Sequence, residues 1–188
     1  IIYTHNHADH TYGATVFAAD SNPEIYAHSS TAEYLSRVIG ILRPIISSRS
    51  NRMFGNALPK DQVENNGIGP FLEIGRDDRK PGLLYPTKTF TDKLKFEVGG
   101  IEVELFHAPG ETNDQLFVWL PGKKALFPGD NFYKTFPNLY TIRGTPYRDL
   151  AGWVNSIDMM RYLEPEFLIP SHTRPLEGKE KINKLLTT

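Results

Sequence analysis

Three histidines and an aspartate stand within six residues near the start of the chain, in the pattern His5-x-His7-x-Asp9-His10. Neutral imidazoles and carboxylates are the ligands that Zn²⁺ and related metals prefer in proteins. Half of the 6 histidines of the chain lie in this one turn, which makes an ordinary polar loop a weak explanation. The spacing therefore predicts a metal site.

The segments on either side of this motif must position it. Ile1, Ile2 and Tyr3 are typical of the end of a buried β-strand, and Gly13 and Ala14 open a predicted helix. Where a strand ends in a loop, alternate side chains can point into one pocket. We therefore expect the four polar side chains to converge at the end of this strand.

Other predicted strands also end in possible metal ligands. Glu111 follows Pro-Gly in HAPGET, Asp130 follows Pro-Gly in LFPGDNF, and His172 ends LIPSH. Each lies where an apolar strand gives way to a loop, so all three belong to the rim of the predicted sheet. Asp114 is a rival to Glu111, whereas His107 is interpreted as a structural histidine.

The composition excludes several classes of protein. A net charge of −1 over 188 residues gives no field that favours nucleic acid or an anionic membrane. No apolar run approaches the roughly 20 residues of a spanning helix. Because the chain has no cysteine, any zinc must be held by His, Asp or Glu. The length suits one domain over residues 1–188, and the cellular compartment stays undetermined.

Strands and helices alternate along the chain, which predicts an α/β layered domain. A helix is expected to begin at Ser30 or Thr31, to kink or split at Pro44 and to end at Gly55. A Gly- and Pro-rich segment over 58–86 is predicted to be a long loop, such as a lid or substrate wall. The remaining predicted elements are a short strand in NPEIYAHSS, the strand pairs KLKFEV with IEVELFHA and DQLFVWLP with KKALFPGD, a helix in RDLAGWVNSIDMMRYL, and a last strand in EFLIPSH.

The His-x-His-x-Asp-His motif resembles the signature of the metallo-β-lactamase superfamily. APGETNDQL, DNFYKTFPNLYTIRGTPYRD and PSHTRPLEG further resemble the alkylsulfatase branch, the dodecyl sulfate hydrolase-like enzymes. This resemblance implies a metallo-β-lactamase-type αββα sandwich and two Zn²⁺ ions. Glu111 departs from the superfamily, where that position is usually His. The implied metal ligands are His5, His7 and Glu111 at one metal, Asp9, His10 and His172 at the other, and Asp130 between them.

The resemblance also implies a reaction, the hydrolysis of alkyl sulfate esters to an alcohol and inorganic sulfate by a metal-bound hydroxide. Asp9 would orient that hydroxide, and Asn138 and Arg143 would hold the sulfate. A planar guanidinium suits this role because it donates two parallel hydrogen bonds to paired oxygens. Arg148 either assists or pairs with a carboxylate, Asp149 among the possibilities. The alternative is another hydrolase of the same fold, either a glyoxalase II-type thioesterase or a lactonase. A third hypothesis is a non-catalytic binding protein.

Alkylsulfatases of this branch carry more chain than is present here. The expectation is therefore a partial catalytic domain that lacks N-terminal strands, a C-terminal dimerisation region and a lipid-carrier-like domain. A homodimer is expected for the full-length protein, with a small-molecule substrate, no nucleic acid and no stable membrane insertion. An unpaired sheet edge predicts poor stability of the fragment, which a cooperative melt above about 45 °C would contradict.

Overall fold

The computed structural model describes residues 1–64 and 81–187. In this part of the chain the strands are β1 (Tyr26–His28), β2 (Lys88–Phe90), β3 (Lys93–Val98), β4 (Ile101–His107), β5 (Leu116–Leu120), β6 (Ala125–Phe127), β7 (Phe167–Leu168) and β8 (Leu176–Glu177). The helices are α1 (Ala8–Thr11), α2 (Ala14–Ala18), α3 (Thr31–Ile39), α4 (Arg43–Met53), α5 (Leu150–Tyr162) and α6 (Lys179–Thr187). None of these helices combines the length and hydrophobicity needed to cross a bilayer.

The strands form two sheets. The smaller sheet pairs β1 with β2 in parallel, and Ile2 extends it through a parallel bridge to Tyr26. The larger sheet has six strands in the order β3-β4-β5-β6-β7-β8, antiparallel except for the parallel pair β6 and β7. Because β4, β6 and β7 therefore run in the same direction, their carboxyl ends lie at the same edge of the sheet.

Alternation along β5 separates two layers of the core. Phe117 and Trp119 face a cluster that includes Met160 of α5 and Ile182 of α6, whereas Leu116 and Val118 face a cluster that reaches Tyr26 of the small sheet. A third cluster packs the small sheet against α2. The layers are thus helix, sheet, sheet and helix, the α/β sandwich that the sequence predicted.

Most predicted elements are confirmed. Both strand pairs and the helix at α5 form where the apolar patterns placed them, and Gly99 and Gly100 make the first turn with φ of 57° and 75°.

The predicted helix after Ser30 is split, but the position of the break was wrong. It comes at Gly40, and Pro44 lies in the first turn of α4. A proline is compatible with that position because the first turn of a helix has no partner for its N–H groups.

The prediction that EFLIPSH is the last strand was also wrong, because β8 and α6 follow it. Most of the predicted loop over 58–86 lies outside the described residues. Its described end packs Leu83 and Leu84 against the cluster that holds Tyr3 and Ala14.

Candidate metal centre

A first group of donors is formed by His5, His7 and Glu111. His5 follows the Ile2 bridge, His7 is the N-cap residue of α1, and Glu111 lies in the loop between β4 and β5. Glu111 Oε2 is 3.2 Å from His5 Nε2 and 3.1 Å from His7 Nδ1. Two ring nitrogens and one carboxylate oxygen therefore converge on one point.

A second group consists of Asp9, His10, Asp130 and His172. Asp130 Oδ2 is 3.3 Å from His10 Nε2 and 3.1 Å from His172 Nε2. Asp9 Oδ2 approaches the same two histidines at 3.2 Å and 3.1 Å. Asp130 and His172 follow β6 and β7, so the shared edge of the large sheet brings them together.

Unpartnered polar atoms in the first group fit a bound cation. His5 Nε2 and Glu111 Oε2 are buried, and neither completes a hydrogen bond within the described part of the chain, although they are close. Asp130 Oδ1 is buried without a hydrogen bond in the same way. Buried polar atoms are normally satisfied, so donors left unpaired and aimed at a common point match the nitrogen and oxygen set of a zinc site.

The charges of the second group are mutually stabilised. Burial would raise the pKa of Asp130, but His10 and His172 outweigh that effect and hold it well below its usual range. Burial opposes protonation of His10, yet Asp130 and Asp9 raise its pKa to about 9. The same two carboxylates raise the pKa of His172 to about 10. The group is thus a set of ion pairs whose histidines must lose protons before they bind a metal.

The first group contains a neutral histidine instead. Burial lowers the pKa of His5, and its neighbours His7 and His10 lower it further. Burial would raise the pKa of Glu111, but His5 and His7 outweigh burial and hold it below its usual range. A neutral imidazole beside an ionised carboxylate is already in the protonation state that a metal requires.

Asn131 fixes the loop that carries Glu111, and its role was not predicted from the sequence. Its Oδ1 accepts from the Glu111 backbone N–H at 3.2 Å, and its Nδ2 donates to the Ala108 carbonyl at 2.7 Å. Trp153 of α5 donates from Nε1 to the Asn131 carbonyl at 3.0 Å. The sequence shows only that a polar residue follows Asp130 within the stretch that carries the resemblance.

Asp114, the rival to Glu111, lies outside both groups. Its Oδ1 accepts from Asn6 Nδ2 at 2.6 Å, and its Oδ2 accepts from Thr31 Oγ1 at 2.8 Å. The side chain is fully buried, and Asn6 stands between two residues of the first group. Asp114 therefore ties the motif to the start of α3.

His107 also lies outside the two groups. It stacks on His28 with ring centroids 3.9 Å apart, and its Nε2 lies 2.8 Å from the Asn113 carbonyl. His28 contacts Ser30 Oγ through Nδ1 at 2.8 Å. These contacts fit the structural role that the sequence predicted for His107.

Arg143 borders the first group. Its Nη2 is 3.3 Å from His7 Nε2, and the residue is partly buried. Asn138 is exposed, and its Oδ1 accepts from the Tyr140 N–H at 3.1 Å within its own loop. The structure thus places the Arg143 guanidinium beside His7, whereas the side chain of Asn138 bonds within its own loop.

Tyr133 joins the two groups and was missed by sequence reasoning. Its hydroxyl lies 2.9 Å from Glu111 Oε1 and 3.0 Å from Asp130 Oδ2, so its single proton is shared between the two carboxylates. Burial raises its pKa, and the two carboxylates raise it further, so the phenol keeps its proton. It lies in the stretch DNFYKTFPNLYTIRGTPYRD that carries the resemblance, but nothing in that stretch marks it as a partner of the predicted ligands.

Comparison with known proteins adds three relationships. The profile described as "Metallo-beta-lactamase superfamily" matches residues 1–172. A linear primary-alkylsulfatase from Pseudomonas sp. (strain ATCC 19151) is 31% identical over 194 residues, which cover 99% of this chain and 36% of that protein. A probable hydroxyacylglutathione hydrolase from Schizosaccharomyces pombe is 35% identical, but only over 34% of this chain and 25% of its own length.

A solved structure shares the fold. The stereoselective inverting sec-alkylsulfatase Pisa1 from Pseudomonas sp. superposes with a TM-score of 0.82 at 24% identity, covering 99% of this chain and 31% of that one. The chain spans about a third of the length of the alkylsulfatases it matches.

Proposed function

The chain belongs to the metallo-beta-lactamase superfamily, and on that premise we propose that it carries the two-metal site of an enzyme that hydrolyses alkyl sulfate esters. The observation that carries this proposal is the placement of the Arg143 guanidinium beside His7, at the border of two convergent donor groups. The similarity to a linear primary-alkylsulfatase over nearly the whole chain supports the same substrate class.

The two donor groups would each hold a Zn²⁺ ion. His5, His7 and Glu111 would bind the first, and Asp9, His10 and His172 the second. Asp130, which lies with the second group, would stand between the two ions, as the resemblance implies. Bound zinc would lower the pKa of coordinated water toward neutrality, which supplies a nucleophile without a strong base.

Arg143 would bind the sulfate and stabilise negative charge as the ester bond breaks. A guanidinium stays protonated at neutral pH even where burial lowers its pKa, as it does here. Its planar fork matches two oxygens of a sulfate monoester. Asn138 would add a hydrogen bond from its amide nitrogen, because its oxygen is engaged by Tyr140. Asp9 is 48% exposed, so its carboxylate can also orient a water molecule.

A direct assay tests this function. Inorganic sulfate release from dodecyl sulfate and from a secondary alkyl sulfate is measured with zinc-loaded protein, its Arg143→Ala variant and, as a matched control, Arg161→Ala. Arg161 pairs with Asp158 on α5, away from both groups. We expect Arg143→Ala to lose roughly 100-fold in kcat/KM at unchanged zinc content, and Arg161→Ala to retain activity.

A second substrate tests the alternative function, that of a thioesterase. A protein that holds two zinc ions and releases no sulfate would overturn the sulfatase proposal. Hydrolysis of a glutathione thioester would then favour the thioesterase reading, which the short match to a hydroxyacylglutathione hydrolase supports over a third of the chain.

A further inference from the structure

The two oxygens of the Glu111 carboxylate have different partners. Oε2 faces His5 and His7, whereas Oε1 lies 3.1 Å from Arg148 Nη2 and 2.9 Å from the Tyr133 hydroxyl. Glu111 itself is 8% exposed. With both sides occupied in a buried setting, the carboxylate has little freedom to rotate.

Arg148 is built into this arrangement. It is 3% exposed, and it also donates from Nη1 to the backbone carbonyl of Asn138. The sequence left its partner open between substrate, Asp149 and another carboxylate. In the structure Asp149 caps α5, where its side chain accepts from Ala151 N–H, and Arg148 pairs with Glu111.

The positive charge of Arg148 neutralises the buried carboxylate of Glu111. A glutamate adds a negative charge that a histidine at the same place would not add, and a buried carboxylate needs a partner. Arg148 supplies one positive charge on Oε1, the oxygen that faces away from the histidines. Only Oε2 then faces His5 and His7, and Glu111 and Arg148 together carry no net charge, as a neutral histidine would.

We propose that Arg148 is a positioning residue that acts through Glu111: it neutralises the carboxylate and fixes Oε2 toward His5 and His7. Tyr133 holds the same Oε1 and links it to Asp130 of the second group. The inference rests on the proposed two-metal function, and it assigns to Arg148 a task different from the sulfate binding assigned to Arg143.

Cobalt binding tests this role without any measurement of activity. The affinity for Co²⁺ is measured by chelator competition, and the ligand-field spectrum is recorded, for four proteins: the native chain, Arg148→Met, Glu111→His, and the double variant. We expect Arg148→Met to lower Co²⁺ affinity 10- to 100-fold and to change the spectrum, as loss of an outer partner of a metal ligand does. In the Glu111→His protein the same replacement should have no cost, because no carboxylate is left to neutralise.

Other results would overturn the inference. If Arg148→Met lowered Co²⁺ affinity equally in the protein with Glu111 and in the Glu111→His protein, Arg148 would not act through the carboxylate. Unchanged affinity with a raised KM for alkyl sulfate would make Arg148 a substrate-binding residue. Arg148→Lys serves where Arg148→Met does not fold: it keeps the charge but loses the fork, so a smaller loss confined to the Glu111 protein is expected, and no loss would also count against the proposal.

The two proposals can fail separately. Sulfate release without coupling between Arg148 and Glu111 would leave the proposed function intact and overturn the positioning role. Coupling in Co²⁺ binding without sulfate release would do the reverse.

Discussion

Individual side chains in the two groups differ in how ready they are for a metal. His5 is held neutral by burial, whereas His10 and His172 are held protonated by Asp9 and Asp130. A metal binds only the neutral imidazole, so the two groups should respond differently to pH. Two causes produce the difference: His5 is fully buried, which lowers its pKa, whereas two carboxylates face His10 and His172 and only one faces the histidines of the first group.

Metal binding at the second group should therefore release protons. The pKa values of His10 and His172 are raised to about 9 and about 10, so both are charged at neutral pH before metal binds. The affinity of the second group for zinc should weaken as the pH falls below about 10, and more steeply below about 9, where both histidines are protonated. Calorimetric zinc titration at neutral pH in buffers of different ionisation enthalpy measures the released protons. His172→Ala should release fewer, and a binding heat independent of the buffer would contradict the prediction.

In the metal-free protein the same ion pairs should make the free energy of unfolding fall as the pH rises, whereas the affinity for zinc increases as the pH rises. Because the folded-state pKa values of His10 and His172 lie above the ordinary value of 6.5, their contribution is complete below about pH 6.5. It is lost as the pH rises through about 9 to 10. Zinc reverses this dependence, since it replaces the protons.

At this scale the sequence was informative about donors and uninformative about their partners. The structure brings all seven predicted ligands into two groups. They could be predicted because the sequence itself gives the residue type and its position after an apolar strand. That Arg148 pairs with Glu111, and that Tyr133 spans Glu111 and Asp130, depends on side-chain directions set by the fold. Spacing along a chain carries no such information.

Among the elements, the tight turn after β6 places Asp130. Gly129 in this turn has a φ of 57°, and a Cβ there would lie 2.3 Å from Gln115 Nε2 and 3.0 Å from Thr4 Cβ. Thr4 directly precedes His5, and Gln115 lies at the end of the loop that carries Glu111. The turn therefore depends on the absence of a side chain.

Gly129→Ala should lower the free energy of unfolding by about 2–4 kcal/mol, from left-handed strain and overpacking together. Denaturant unfolding in the presence of a chelator measures this change apart from metal binding. Gly122→Ala is the matched control, since a Cβ there meets no atom within 4 Å, and it should be nearly neutral. Equal effects of the two substitutions would contradict the steric argument.

Elements with a clear period were predictable, and short ones were not. The hairpin of β3 and β4 and the helix α5 have alternating or helical apolar patterns long enough to read. The strands β7 and β8 have only two residues each, too few to show a period. The break between α3 and α4 falls at Gly40, and Pro44 is accommodated in the first turn of the second helix. A proline is therefore a poor guide to where a helix is interrupted.

Over the whole molecule, the candidate site gathers four segments that are far apart in the sequence. The motif at residues 5–10 meets Glu111, Asp130 and His172, and two of these loops extend from neighbouring parallel strands of the large sheet. A bound metal would thus connect segments of chain that unfolding separates.

Zinc should therefore stabilise the entire fold. A ligand that binds only the folded state at 100 times its Kd adds about 2.7 kcal/mol per site, which corresponds to about 5–10 °C in Tm for a chain of this size. Thermal unfolding is followed with chelator, with excess Zn²⁺ and with excess Mg²⁺. Mg²⁺ prefers oxygen ligands in an octahedral arrangement and should shift Tm much less, because four of the seven donors are histidine nitrogens. Replacing one histidine of each group, in His5→Ala/His172→Ala, should abolish most of the zinc effect, and a full shift retained in that variant would place the stabilising metal elsewhere.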